Sequence, residues 1–387
     1  MNIFRNIISG ISDICLVWKN EMKNVVKDEG VLIFFLLVPL VYPLLYSWIY
    51  NNETVHEVPV VVVDLACCEE SRTFVRMADA SSDVDVAYTA GSIDEAKRIV
   101  ARGDASGIYV IASDFGRRLN LMEQATISVY CDMSLMLHYK AVFQTAMNVC
   151  SQMNSDIQVK LSGNTTRPLE LEEVALFNPT SGYGSFIIPG VLMLIIQQTL
   201  VLGIGLAAGT AREKNSFFVP VSSASMLPGS IIVVLGKTMC YFMIYVVLAA
   251  YLTLVVPQLF GFTSLTSAAT LVALMLPYIL VCIFFGITVS CMVRHRENVI
   301  LLVVFMSVPL LFVSGVSWPG SNIPRFWECI SWLFPSTFGI RSFVRVNTMG
   351  ATLADIALEY RALLVQMAVY FLLACAVYRH HVNELRS

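Results

Sequence analysis

Few residues in this 387-residue chain have the type and spacing to do chemistry, and most of them stand in apolar surroundings. Leu235-Gly236-Lys237-Thr238 has the Gly-Lys-Thr ending of a phosphate-cradling loop. Such a loop needs a glycine five residues before the Gly-Lys pair, so that backbone amides can wrap the phosphates. Position 231 is Ile. The segment opens an apolar helix instead, and Lys237 is expected to snorkel to the interface there. ATP hydrolysis therefore belongs to another chain. Gly203-Ile204-Gly205-Leu206-Ala207-Ala208-Gly209 has glycines spaced much as in a dinucleotide fingerprint, but no strand precedes it. Small residues in an apolar span serve close helix–helix packing. His56 and His138 have no nucleophile motif nearby, and His295, His380 and His381 lie among arginines, where they meet headgroups rather than metal. The ten cysteines show no zinc spacing. No catalytic residue and no metal ligand are expected.

Three glutamines inside apolar stretches are more informative: Gln197, Gln198 and Gln366. An amide in lipid is costly unless partnered, so each must face a helix interface or an aqueous path. Hydrogen-bonding glue between helices and the lining of a pathway are both open readings.

The elements that position these residues are membrane spans. Hydrophobic residues make up 57% of the chain and charged ones 14%, against about 25% charged in soluble domains. Six stretches are long and uncharged enough to cross a bilayer as helices: Val31–Tyr50, Phe186–Ala208, Met239–Val256, Ala268–Val293, Asn298–Val316 and Ala362–Tyr378. Val31–Tyr50 lies behind a charged stretch and precedes no small-residue cleavage site, so it reads as a retained anchor. Residues 51–185 carry 18 acidic and 10 basic side chains and the remainder 10 and 15. A water-soluble acidic domain is thus inserted into a membrane body with basic margins. With the N-terminus inside, short inner segments hold ten Lys and Arg and short outer ones four. That imbalance puts both termini in the cytoplasm and residues 51–185 outside. Nothing in this pattern marks a nucleic-acid surface.

Residues 1–29 form an amphipathic elbow helix, with Ile3, Ile7, Ile11, Ile14 and Trp18 recurring at three- and four-residue steps, lying along the inner interface. Residues 30–50 are the first span. Within 51–185, β-branched runs at Val58–Val63, Val84–Tyr88, Gly107–Ile111 and Ile127–Tyr130 alternate with helical patterns, as in a small mixed α/β domain. Cys67, Cys68, Cys131 and Cys150 would face the oxidising side. A disulfide of unspecified connectivity and free buried thiols are both open for them. Residues 186–387 supply five spans. Residues 317–361 pack Trp318, Pro319, Pro324, Trp327, Trp332, Pro335 and Phe338 between charges. Short helices dipping into the outer leaflet fit this pattern, since irregular backbone at that depth must be buried in protein; an interfacial aromatic belt is the other reading.

One span, a large outer domain and five further spans resemble the permease subunit of type-2 ABC exporters, in the multidrug-type branch with a large extracytoplasmic domain. The likeness rests on Val62-Val63-Asp64 with Ser71-Arg72, Asp114-Phe115, and Phe177-Asn178-Pro179 with Phe186-Ile187-Ile188-Pro189-Gly190. Ala211-Arg212-Glu213-Lys214, Gly236-Lys237, and Ser314-Gly315 through Trp318-Pro319, Pro324 and Pro335-Ser336-Thr337 extend it over nearly the whole chain. Asn215-Ser216-Phe217-Phe218-Val219-Pro220 replaces the family's usual continuation of the Arg-Glu turn.

The resemblance implies an α-helical polytopic membrane protein of six transmembrane helices, with an α/β extracytoplasmic domain inserted between the first two. It implies a non-catalytic export subunit in the inner membrane that moves an amphipathic or lipid-like molecule. Its partners would be a cytoplasmic ATP-binding subunit, which carries ATP and Mg, a second copy or related permease, and a periplasmic adaptor. No cofactor binds the chain directly. Arg212, Glu213 and Lys214 would contact the ATPase, and Trp318, Pro319, Pro324 and Pro335 would shape an outer gate. A membrane-anchored adhesion or secretion-apparatus component of the same topology is the alternative.

Overall fold

The computed structural model describes residues 2–51, 55–121, 123–131, 135–162, 183–214, 228–262, 264–293, 295–318 and 320–384. It divides into two compact units, residues 1–51 with 176–387, and residues 52–175.

The first unit begins with α1 (Asn2–Lys27). Asp28 ends it and caps the next helix: its Oδ1 accepts from the amides of Gly30 at 3.0 Å and Val31 at 3.3 Å, as N-cap aspartates do. That helix is α2 (Glu29–Ile49), which contains a π turn at Ile33–Leu37.

The second unit contains β1 (Val58–Asp64), α3 (Glu69–Asp79), β2 (Val84–Thr89), α4 (Ile93–Ala101), β3 (Gly107–Ile111), α5 (Phe115–Asn120), β4 (Ile127–Cys131) and α6 (Met136–Ser162). The strands form one sheet in the order β2-β1-β3-β4, with β1 parallel to both neighbours and β4 antiparallel to β3. Val58, Val60 and Val62 pack with Phe74, Tyr109 and Val142 on one face. Val61 and Val63 pack with Ala96, Ile108 and Val110 on the other. Both faces of β1 are covered, which is why its sequence is a near-continuous valine run instead of an alternation. The four thiols of this unit are free, and burial pushes those of Cys131 and Cys150 up.

The first unit resumes with α7 (Tyr183–Glu213). It is followed by α8 (Gly229–Leu259), α9 (Ala268–Met292), α10 (Arg296–Val313), the short α11 (Arg325–Ser331), α12 (Pro335–Met349) and α13 (Ala357–Glu384). Among the described residues six helices, α2, α7, α8, α9, α10 and α13, are long and apolar enough to cross a membrane. The bundle closes around α7, nearly all of whose apolar side chains are buried. A Cβ added at Gly203 would lie 2.2 Å from the Phe35 ring, and one at Gly205 would lie 2.4 Å from Val299. The two glycines let α2 and α10 approach α7 on separate sides. Helix α8 starts ten residues before the uncharged stretch Met239–Val256. Lys237 therefore lies two turns inside a helix and does not stand at its mouth.

Candidate functional sites

At the end of the bundle that holds α1, that helix lies along α8. Val17 and Val25 are buried. A Cβ on Gly236 would meet Val17 Cβ at 2.6 Å and the Ile14 carbonyl at 3.0 Å, so the two backbones are in contact. Glu21 occupies the same stripe as Ile14, Val17 and Val25, at a position where an amphipathic helix would carry an apolar residue. Its carboxylate meets Lys237 Nζ at 3.2 Å, with only 7% and 8% of the two side chains exposed. The Tyr241 hydroxyl donates to the same oxygen. Lys237 thus does not snorkel to the interface: the earlier helix start puts it opposite a carboxylate. A glutamate on the apolar face of α1 and a lysine within an apolar helix are the two sequence signals from which the pair could have been found.

The same end ties four helix termini together. The Thr210 hydroxyl near the end of α7 donates to Asp28 Oδ2 at 2.6 Å. Arg296, opening α10, lies 4.0 Å from Asp28 Oδ1. Burial works to raise the Asp28 pKa, but the Thr210 hydroxyl, the Val31 amide, Arg296 and the Gly30 amide hold it below the ordinary carboxylate value. Arg212 donates to the carbonyl of Val293 and, at 3.2 Å, to that of Cys291. It closes the last turn of α9, whose carbonyls have no partner within the helix. Of the three residues singled out for an ATPase contact, Arg212 is therefore half-buried against its own chain, while Glu213 and Lys214 are exposed. Residues 215–227, which follow them, lie outside the described residues.

At the opposite, far end, α11 and α12 are separated by a break at Trp332–Phe334. Gln197 of α7, fully buried, accepts from the Ser336 amide at 2.6 Å. Gln366 of α13 donates to the Trp332 carbonyl at 2.6 Å. Tyr370 donates to the Leu333 carbonyl, and the Thr337 hydroxyl to that of Ser331 at 2.8 Å. At 1.5 Å per residue, Gln197 is about 20 Å from the start of α7 and Gln366 about 14 Å from the start of α13. The break therefore lies well inside the bundle and not at the ends of these helices. The Ser336 amide and the Trp332 and Leu333 carbonyls thus meet side chains of the flanking α7 and α13, and the Ser331 carbonyl meets Thr337 of α12 itself.

The structure thus brings Gln197 and Gln366 together on one turn. Gln198 is half-buried, and its Nε2 has no partner among the described residues. Pro335 is buried at the first position of α12, where its fixed φ suits a helix start. Pro324 caps α11. Trp318 is exposed, and Pro319 lies outside the described residues. No group of His, Cys, Asp and Glu able to hold a metal occurs among the described residues.

Replacing Gln197 by Leu keeps the side-chain size but orphans the Ser336 amide, at an expected cost of about 1–3 kcal/mol. Gln198→Leu removes no bond and should be neutral or stabilising. Denaturant unfolding of the purified variants would measure both; equal losses would contradict these assignments.

A family model described as ABC-2 family transporter protein matches residues 30–376. The search of curated proteins finds no match.

Proposed function

This chain belongs to the ABC-2 transporter family, as a type-2 ABC permease in the membrane, and on that premise we propose that it is the transport subunit of an exporter driven by a separate ATP-binding chain. The observation that supports this most is the double attachment of α7. One end of the helix is bonded through Thr210 and Arg212 to the termini of α2 and α9. Its middle is bonded through Gln197 to the start of α12. A displacement of the termini at the α1 end is thereby carried along one rigid helix to the break between α11 and α12.

In this reading both termini are cytoplasmic, residues 51–185 are extracytoplasmic, and the membrane is the inner one. The ATP-binding chain holds ATP and Mg. It docks on α1 and on the segment after α7, where Glu213 and Lys214 make the contact and Arg212 holds the segment in place by capping α9. A second copy or a related permease completes the transporter. An adaptor would meet the acidic outer unit. Residues 317–361 gate the exit, with Gln198 the polar group left for the pathway, and the cargo is amphipathic or lipid-like.

The test is recovery of a vanadate-sensitive ATPase with the tagged chain from native membranes. Glu213→Ala/Lys214→Ala should lower that recovery at unchanged melting temperature, whereas Arg212→Ala should lower the melting temperature as well. Full recovery with the double variant would remove the docking assignment. Absence of any ATPase beside an intact chain would favour the adhesion or secretion-apparatus alternative.

A further inference from the structure

At the far end, α10 stops short. It has 18 residues, against 25 in α9 and 31 in α7. Its last turn is level with Arg341 of α12, whose Nε donates to the Ser314 carbonyl at 3.0 Å. The level of Arg341 follows from its neighbours on the same helix. Arg345 pairs with Glu359, near the start of α13, at 3.0 Å. The Asn347 carbonyl accepts from the Leu265 amide, just before the start of α9, at 2.9 Å. Positions 345–347 therefore mark the level where the longer helices begin. Arg341 stands one turn deeper, by about 6 Å, and the broken turn at Ser336 is deeper again.

Around it the wall is backbone and glycine. Gly315, at φ +91, has a Cβ direction that points 3.8 Å from Arg341 Nε and 3.8 Å from the Gly320 Cα. From Pro335 to Phe343, Arg341 is the one residue of α12 that is not buried. Its two outer nitrogens have no bond to any described residue, and they are not among the buried orphan atoms, so they reach a surface. Among the described residues no carboxylate lies within ion-pair distance, in contrast to Arg345, Arg296 and Lys237. A recessed guanidinium inside the apolar layer without a carboxylate partner calls for an anion from elsewhere, and its planar donor fork matches a phosphate or carboxylate. The adjoining α10 turns exposed apolar side chains outward at Phe305, Val308 and Phe312.

We infer that Arg341 is the seat for the anionic head group, phosphate or carboxylate, of an amphipathic molecule whose tail lies along α10. This deepens the transport reading by naming the head group of the cargo, and it rests on that reading only for calling the ligand a cargo. The test uses no ATP, so it can succeed or fail independently of the ATPase recovery.

The full-length chain in detergent is titrated with phosphatidylglycerol, phosphatidylcholine and inorganic phosphate, and occupancy is read by native mass spectrometry. The wild type should hold phosphatidylglycerol at roughly tenfold lower concentration than phosphatidylcholine, the scale of one charge-assisted bond. Arg341→Gln should abolish that preference, and Arg341→Lys should keep part of it. An unchanged preference in Arg341→Gln overturns the seat. Displacement of the lipid by inorganic phosphate at equal concentration overturns the amphiphile assignment. Should Arg341→Gln not fold, photo-crosslinking of the wild type with a head-group diazirine phosphatidylglycerol decides the matter. Label on residues 314–320 and on Arg341 supports the seat, and label elsewhere overturns it.

Discussion

Glu21→Ala is expected to destabilise this protein by about 3–5 kcal/mol, because it leaves the Lys237 ammonium buried without its carboxylate. The pair is enclosed, with 8% of the lysine side chain and 7% of the glutamate exposed, so solvent cannot take over the charge. Glu21→Leu/Lys237→Leu removes both charges, and a buried pair replaced by apolar groups is often neutral or better. The double variant should therefore recover most of the loss. Thermal unfolding of Glu21→Leu, Lys237→Leu and the double variant closes a cycle whose coupling term isolates the pair. Additive losses would mean that the two charges do not depend on each other. The Tyr241 hydroxyl, which shares the Glu21 oxygen, would keep part of the wild-type contact in Glu21→Gln. The stability of that variant should fall between wild type and Glu21→Ala. The same variants bear on transport. With the Glu21–Lys237 link gone, α1 would be held to α8 by apolar packing alone, movement of the elbow would be carried to the bundle less firmly, and export should fall further than stability alone accounts for.

The second large effect is expected at Gly339. A methyl group there would lie 2.2 Å from the Tyr278 ring, far inside van der Waals contact. The ring cannot swing away. Tyr278 is fully buried and its hydroxyl donates to the Met193 carbonyl at 2.6 Å. Relief must come from a shift of α12 away from α9, and overpacking of this kind costs about 1–3 kcal/mol for an added methyl, more for Val. Such a shift would also pull Ser336 from Gln197. Gly339→Ala should therefore impair the turn between α11 and α12 as well as stability, while Gly339→Ala/Tyr278→Leu, which frees the space, should regain much of both. Unfolding and export measured on the same preparations check this. A silent Gly339→Ala would show that α12 has room which the packing against Tyr278 does not indicate.

How far these features could be read in advance depended on whether their cause is local. The six spans were legible because twenty uncharged residues in a row have one economical destination. The glycines of α7 were legible as packing positions, and Gly203 and Gly205 now face Phe35 and Val299. Lys237 was misread because the span was counted from Met239, after the charge, which left the apolar turns Ile231–Leu235 outside it, and a lysine at a helix mouth and one inside it look alike in sequence. Its partner is 216 residues away. Glu21 was visible only as an acid on an apolar stripe. The glutamines could be flagged as needing partners, yet which backbone groups they hold depends on the break at Trp332–Phe334. That break is a consequence of three-dimensional packing of Pro335, Thr337 and α13. Arg212 illustrates the opposite failure. Its place in a charged turn suggested an outward contact, while two unpaired carbonyls at the end of α9 are nearer and hold it inward.

In the proposed transporter, ATP used by a partner at the α1 end moves the segment of α11 and α12 at the far end. The most direct test of this places one reporter thiol at Trp318, as Trp318→Cys, in a background lacking the exposed Cys15, Cys67 and Cys329. Membranes containing the chain and its ATPase are then labelled with a membrane-impermeant maleimide, with nucleotide absent or trapped by vanadate. A severalfold change in labelling rate is expected on trapping, lost in Glu213→Ala/Lys214→Ala. An identical rate in both states, with ATP hydrolysis demonstrably arrested, would contradict it.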